Sequence, residues 1–241
     1  MLKLYSFGPA ANSLKPMLAL YEKELEFEHK LLNPAKFEHH SDWYKAINPR
    51  GQVPALDDGG RIVTESTVIC EYLEDAHPTT LRLRPEDPYD VAQMRVWTKW
   101  VDEYFCWCVS TVGWHRHVSG MVKNLDDAEF EEVVSRVPIP EQQVKWRRAR
   151  EGFPQDLLDE EMRKIGISVR RLDEHLRDHE WLAGGAYSLA DICNFAIANG
   201  MQNGFAELVN EDDTPGLVRW IAQISERPAV KRVFANVPRE F

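Results

Sequence analysis

The sequence predicts a small α/β unit over residues 1–80 and an all-α unit over residues 88–241. Three observations predict this division. The first eighty residues alternate strand-like and helix-like patterns in the order β-α-β-α-β-β-α. Residues 77–88 carry Pro78, Pro85 and Pro88 with little periodicity, as an interdomain linker does. Beyond them, apolar residues recur at helical spacing almost throughout.

Leu2 to Phe7 alternates in polarity as a short strand, and Gly8-Pro9 ends it. Asn12 and Ser13 are N-cap types, and Leu14, Met17, Leu18 and Tyr21 follow at helical spacing up to Lys23. Pro16 is expected in the first turn, where its missing N–H costs little. Phe27 to Leu32 reads as a second strand, and Ser41 leads into a short helix near Asp42 to Ala46. Asn48-Pro49-Arg50-Gly51 is turn chemistry. Gln52 to Leu56 and Arg61 to Thr64 read as a hairpin joined by Asp57-Asp58-Gly59-Gly60, with a helix from Glu65 to Ala76 after it. A right-handed β-α-β unit followed by a hairpin and a covering helix is the thioredoxin-like arrangement. In the second part, Leu158, Met162, Ile165, Val169, Leu172 and Leu176 mark a helix of about two dozen residues. Leu217, Trp220, Ile221 and Ile224 mark a shorter one, and Pro228 opens the last. Residues 137–154, with Pro138, Pro140 and Pro154, read as an excursion between helices.

The composition narrows the function. Apolar residues make up 44% and charged residues 28%, an ordinary globular balance. The net charge of -10 repels a phosphate backbone, so no nucleic-acid partner is expected. The basic cluster Lys145, Arg147, Arg148 and Arg150 runs straight into Glu151, Asp156, Asp159, Glu160 and Glu161, and reads as a solvated helix face. No leader-like segment opens the chain, and no apolar run reaches the ~18 residues of a membrane span. Cys70, Cys106, Cys108 and Cys193 form no C-x-x-C, so neither a metal site nor a disulfide is expected, and a cytoplasmic location is.

Four short segments carry candidate chemistry. In Gln52-Val53-Pro54, a proline entering a strand leaves the Val53 backbone able to pair with an extended tripeptide, or it simply ends a turn. Glu65-Ser66 opens a helix, where free N–H groups and the positive dipole end suit a carboxylate and Glu65 suits an ammonium. Together they fit an amino-acid head group; separately they read as an ordinary cap. Asn12-Ser13 opens the first helix and can lower a thiol pKa from about 8.5 towards neutrality, with Tyr5 and Ser6 as nearby alternatives. His39 and His40 can meet a second carboxylate or form a solvated pair.

The order Asn12-Ser13, His39-His40, Asn48-Pro49-Arg50-Gly51-Gln52-Val53-Pro54-Ala55-Leu56, then Thr64-Glu65-Ser66-Thr67, resembles the glutathione S-transferase superfamily. Ser188 and Asp191 in Tyr187-Ser188-Leu189-Ala190-Asp191-Ile192 fit that family's folding capping box. Longer strings, such as Val96 to Cys108 and Val137 to Gln143, resemble the bacterial glutathione-dependent β-etherases, nearer the branch acting on β(S)-configured ethers. The resemblance implies glutathione as co-substrate and an aromatic α-keto β-aryl ether as substrate. It implies Ser13, assisted by Asn12, at the thiolate, with His39, His40, Gln52, Val53, Pro54, Glu65 and Ser66 holding glutathione. An aromatic wall is expected from Tyr104, Trp107, Val109, Trp114, Gln143 and Trp146, with Tyr104, Trp107 and Trp114 on one helix face. A homodimer is also implied. The residues themselves leave open a conjugating transferase, a dehalogenase, an isomerase or a non-catalytic glutathione-fold carrier.

Overall fold

The computed structural model describes residues 1–78 and 81–237. Thr79 and Thr80 of the linker, and residues 238–241, lie outside the described residues. Strands β1 (Leu2–Ser6), β2 (Phe27–Leu31), β3 (Ala55–Asp58) and β4 (Arg61–Thr64) form one mixed sheet in the order β2-β1-β3-β4. β1 is parallel to β2 and antiparallel to β3, and β3 is antiparallel to β4. The parallel pair needs a crossover, which α1 (Ala11–Glu22) supplies. Alternation along the strands splits the two faces. Leu2, Leu4 and Leu56 join the main core with α1 and α3 (Ser66–Ala76). Tyr5, Leu32 and Ala55 pack with Tyr44 of α2 (Asp42–Lys45).

Several element ends differ from the sequence expectation, each for a local reason. α1 begins at Ala11 with Ala10 as a cap that makes no side-chain bond. Asn12 and Ser13 are therefore inside the first turn, and Pro16 falls in the second, where the bond to the Asn12 carbonyl cannot form. β3 begins at Ala55 because Pro54 has no N–H for the ladder. Asp57 and Asp58 extend the strand, so only Gly59-Gly60 turns the hairpin, both at positive φ. Residues 137–154 hold a full helix, α8 (Pro140–Glu151), with its proline in the first turn rather than breaking it.

The helical part opens with α4 (Pro88–Trp100). It continues without interruption through a π turn (Val101–Phe105), α5 (Cys106–Gly113), a second π turn (Trp114–Val118) and α6 (Ser119–Val122). α7 (Asp127–Ser135), α8, α9 (Gln155–Asp178), α10 (Leu189–Ala198), α11 (Met201–Gly204), α12 (Pro215–Ser225) and α13 (Pro228–Asn236) follow. The α9 stripe buries Leu158, Ile165, Val169, Leu172 and Leu176. α10 is buried at every residue. Its capping box is complete: Asp191 accepts from the Ser188 N–H at 3.0 Å, the Leu182 N–H at 3.0 Å and Trp220 Nε1 at 2.9 Å, while Ser188 Oγ accepts from the Ala190 N–H.

The two parts are joined by part-buried ion pairs as well as apolar contact. Lys15 on α1 meets Asp102 at 2.5 Å, and Arg227 grips Glu22 through two bonds of 2.6 and 2.9 Å. Phe37, from the segment after β2, inserts into a second cluster made otherwise by the helical part, against Trp146. No helix among the described residues is long and apolar enough to cross a membrane.

Candidate active site at the domain interface

The sheet register gathers three of the sequence segments at one end. Tyr5 pairs with Ala55 and Ala55 with Thr64. One step further along each strand, Ser6, Pro54 and Glu65 therefore lie side by side. The Val53–Pro54 peptide is cis. The Gln52 carbonyl accepts from Tyr44 Oη and Asn48 Nδ2, both at 2.7 Å, which fixes the approach to the proline.

The start of α1 faces this end. The Phe7 N–H donates to Ser13 Oγ at 3.2 Å, so the serine has accepted one bond and retains its own O–H. That O–H meets no acceptor among the described residues. Ser6 is engaged differently: its hydroxyl bonds the Phe7 carbonyl at 2.9 Å and His29 Nε2 at 2.7 Å. Tyr5 is buried against Trp43 and Tyr44. Asn12 Oδ1 accepts from the Cys106 thiol at 3.6 Å, leaving the two amide donors of Asn12 available. Ala11 has φ of 46°, a strained start for a helix.

α3 begins the same way. Glu65 is its N-cap at φ 68°, makes no side-chain cap bond and is exposed, while Ser66 is buried at the first helical position. A helix start without a side-chain cap leaves N–H groups and the dipole for an anion.

His39 and His40 are not a solvated pair. Both are buried, with ring centroids 3.8 Å apart and both Nδ1 atoms without a partner. Burial, with His40 adding to it, pushes the His39 pKa down to about 3. Burial, then Lys45 and Arg136, push His40 down to about 4. Both are neutral at pH 7, so they offer hydrogen bonds but no charge. His39 packs edge-on to Phe7 at 5.0 Å, which ties the segment to the end of β1. Gly51, at φ 60°, permits the approach: a Cβ there would stand 2.7 Å from His40 Nδ1.

The helical residues separate into surface and core. Trp107 is 57% exposed, whereas Trp146 is 4% exposed and packs between Phe37 at 4.8 Å and Trp114 at 4.6 Å. Trp146 is thus a core contact between the two parts. Val109 is half-buried against the main core, and Gln143 Nε2 donates to the Val137 carbonyl at 2.9 Å. Tyr104 lies in the first π turn, within electrostatic reach of Arg163 and Lys164 on α9. A π turn departs from the 3.6-residue period on which the three-residue face was predicted. Trp107 and Trp114 still share a face, because Lys145 lies over both rings, at 5.8 and 4.6 Å from their centroids.

Cys106, which carries no sequence signal of its own, meets Asn12, and Lys145 is not part of a solvated face. The lysine turns inward from the basic cluster and donates to Ser110 Oγ at 2.9 Å. Burial lowers its pKa to about 8. Helical phase carried the signal: Lys145 lies one turn before the buried Ala149 and beside the buried Trp146.

Comparison with known proteins agrees with this geometry. Residues 1–75 match the model of the glutathione S-transferase N-terminal domain, and residues 128–228 that of the C-terminal domain. Protein LigF of Sphingobium sp. (strain NBRC 103272 / SYK-6) is 61% identical over 99% of this chain and 95% of its own length. The crystal structure of β-etherase LigF from Sphingobium sp. strain SYK-6 superposes with a TM-score of 0.95, at 62% identity, over 97% of this chain and 98% of that one. Glutathione transferase F7 of Populus trichocarpa superposes at 0.77, with 26% identity, over 98% of each chain. With both domain models matched, and a sheet end that gathers the cis proline and two helix starts lacking a side-chain cap, the chain belongs to the glutathione S-transferase family.

Proposed function

We propose that this protein is a glutathione-dependent β-etherase. It cleaves lignin-derived α-keto β-aryl ethers to a glutathione thioether and a phenol such as guaiacol. The observation that carries the mechanism is the Ser13 hydroxyl, which accepts from the Phe7 N–H and keeps its own hydrogen for a thiolate at the positive end of α1. Asn12, with its amide donors free of Cys106, assists. Val53 supports pairing with the tripeptide backbone, since it lies just outside a ladder that begins at Ala55. Gln52 and Pro54 set that edge. Glu65 and Ser66 take the γ-glutamyl ammonium and carboxylate, and the neutral His39 and His40 donate towards the glycyl carboxylate.

The ketone beside the β-carbon favours direct displacement, so the protein's task is to form the thiolate and hold the partners in line. Trp107 and Trp114 supply the aromatic surface for the ether. Displacement by a fixed thiolate inverts the β-carbon, and the protein is assigned to the branch that takes β(S) ethers. The test is chiral analysis of products from a racemic β-aryl ether ketone and glutathione. Phenol release that stops at half conversion, with a single thioether enantiomer, is expected; no phenol release overturns the etherase reading.

The protein is further assigned as a cytoplasmic homodimer. Val68 on α3, and Tyr89 and Val96 on α4, are exposed at 54%, 70% and 48% on two helices tied by the Arg95–Glu71 pair, which offers an apolar surface for a second copy. Elution at the monomer mass in gel filtration would refute it.

A further inference from the structure

Among the described residues the two buried lysines have carboxylate partners: Lys23 meets Glu74 at 2.7 Å and Lys15 meets Asp102 at 2.5 Å. Such pairing offsets the cost of taking a charge out of water. Lys145 on α8 differs. Among the described residues no carboxylate lies within ion-pair distance of it. Its one hydrogen bond there is to Ser110 Oγ at 2.9 Å; its ammonium faces the Trp114 and Trp107 rings, and Cys106 and Glu161 act on it through space, against the larger effect of burial. An ammonium has three donors, so capacity remains for a ligand.

Its place relative to the start of α1 is set by the long helix. Asp102, Cys106 and Ser110 follow one another at four-residue steps, and each meets one residue of a neighbouring helix: Lys15 and Asn12 of α1, then Lys145 of α8. Four helical residues rise about 6 Å, so Lys145 stands about one turn beyond Asn12, the neighbour of Ser13. A sulfur held at Ser13 and an ether oxygen held at Lys145 leave room between them for the carbon under attack.

We propose that Lys145 is a catalytic residue of the etherase reaction, its ammonium bonding the ether oxygen and giving a proton to the departing aryloxide. The inference rests on the etherase reading above. In the step, the thiolate pair forms the C–S bond and the Cβ–O bond breaks with its pair kept by oxygen. The Nζ proton moves to that oxygen, leaving a neutral phenol and a neutral amine. Water reprotonates the amine, in balance with the proton the glutathione thiol gave up. Burial holds the Lys145 pKa at about 8, below a phenol at about 10, so the transfer runs downhill.

The experiment compares wild type, Lys145→Met and Lys145→Arg on α-keto β-aryl ethers whose leaving phenols range from nitrophenol to methoxyphenol. In the Met variant methoxyphenol release should fall about 100-fold, and nitrophenol release about threefold or less, because an acidic phenol needs no acid. Arginine keeps the charge but cannot give up a proton, so it should still lose about tenfold or more with methoxyphenol. This variant carries the test if the Met variant does not fold. KM for glutathione should stay near wild type in both, which separates the effect from a disturbed thiolate site. Equal loss for every leaving group, or an arginine variant as active as wild type, overturns the role of Lys145 alone. Wild type releasing no phenol from any ether overturns the etherase reading and this inference together.

Discussion

Two helix starts in this protein are built on opposite plans. α10 begins inside the core with its donors and its acidic side chain satisfied by the chain itself: Ser188, Asp191, the Leu182 N–H and the Trp220 indole close on one another. α1 begins at the interface with no side-chain cap, a strained Ala11, and a Ser13 O–H and Asn12 amide that the described residues leave unused. The same physics operates at both ends. A helix start offers unpaired N–H groups and a positive field, which must find partners. Where the partners are internal the start becomes a rigid staple; where they are missing it becomes a place for a ligand. α3 follows the second plan, with Glu65 at positive φ and no side-chain cap bond.

This contrast breaks first at Asp191. Replacing it by Ala strips partners from Trp220, Leu182 and Ser188 in a fully buried site. It should cost about 3–5 kcal/mol in urea unfolding, with Asp191→Asn milder because an amide oxygen can still accept from the indole. A loss below about 1 kcal/mol would deny the staple its role.

The two regions also oppose one another as the pH falls. His39 and His40 have folded pKa values of about 3 and about 4, below the unfolded value near 6.5. The unfolded chain takes up their protons first, so stability is full above about pH 6.5 and falls as the pH drops towards 4. Asp191, raised to about 6 by burial, acts the other way and adds stability as the pH drops through 6. Two histidines outweigh one carboxyl, so unfolding free energy should decline by on the order of 2 kcal/mol between pH 7 and pH 5. His39→Gln should flatten the slope; an unchanged slope would mean that the imidazoles protonate in the folded protein.

Ser13→Ala sharpens the comparison at α1. Turnover should fall about 30-fold, the worth of one hydrogen bond to a charged group, while the melting temperature barely moves. A large loss of stability with little loss of turnover would make Ser13 a staple like Ser188. The smallest effect belongs to α3: Ser66→Ala should weaken glutathione binding about fivefold by calorimetry, with kcat at saturating glutathione nearly unchanged. Unchanged affinity would remove Ser66 from the glutathione site.

Much of this was visible in the sequence because its signals are local. Period-two and period-3.6 patterns placed the strands and the long α9, the stretch Asp57 to Gly60 marked the hairpin, and Ser188 and Asp191 announced their own bonds three residues apart. The pairing of Pro54 with Glu65 did not follow from that reading: a turn of four residues, Asp57 to Gly60, sets Pro54 opposite Val63, and the two-residue turn of the structure moves the register by two. Contacts between residues distant in the chain decided the rest. Phe37 lies in a loop, and only the helical cluster against Trp146 makes it core. His39 and His40 read as polar until that packing removed them from water and made them neutral. Trp107 and Trp146 are the same residue type, and both stand on helices, yet one is exposed and the other lies in the core. Two π turns reset the phase of the helix between them. Lys145 stands in a basic run, and only the arrival of Ser110 and two indole rings from another helix turns its ammonium inward from that run. Propensity and capping act within a turn or two of chain, so the sequence determined the elements and their ends. Burial and charge depend on what folds over a residue from far along the chain, so the tertiary structure alone decided which of the candidate side chains stand together and which are buried in the core.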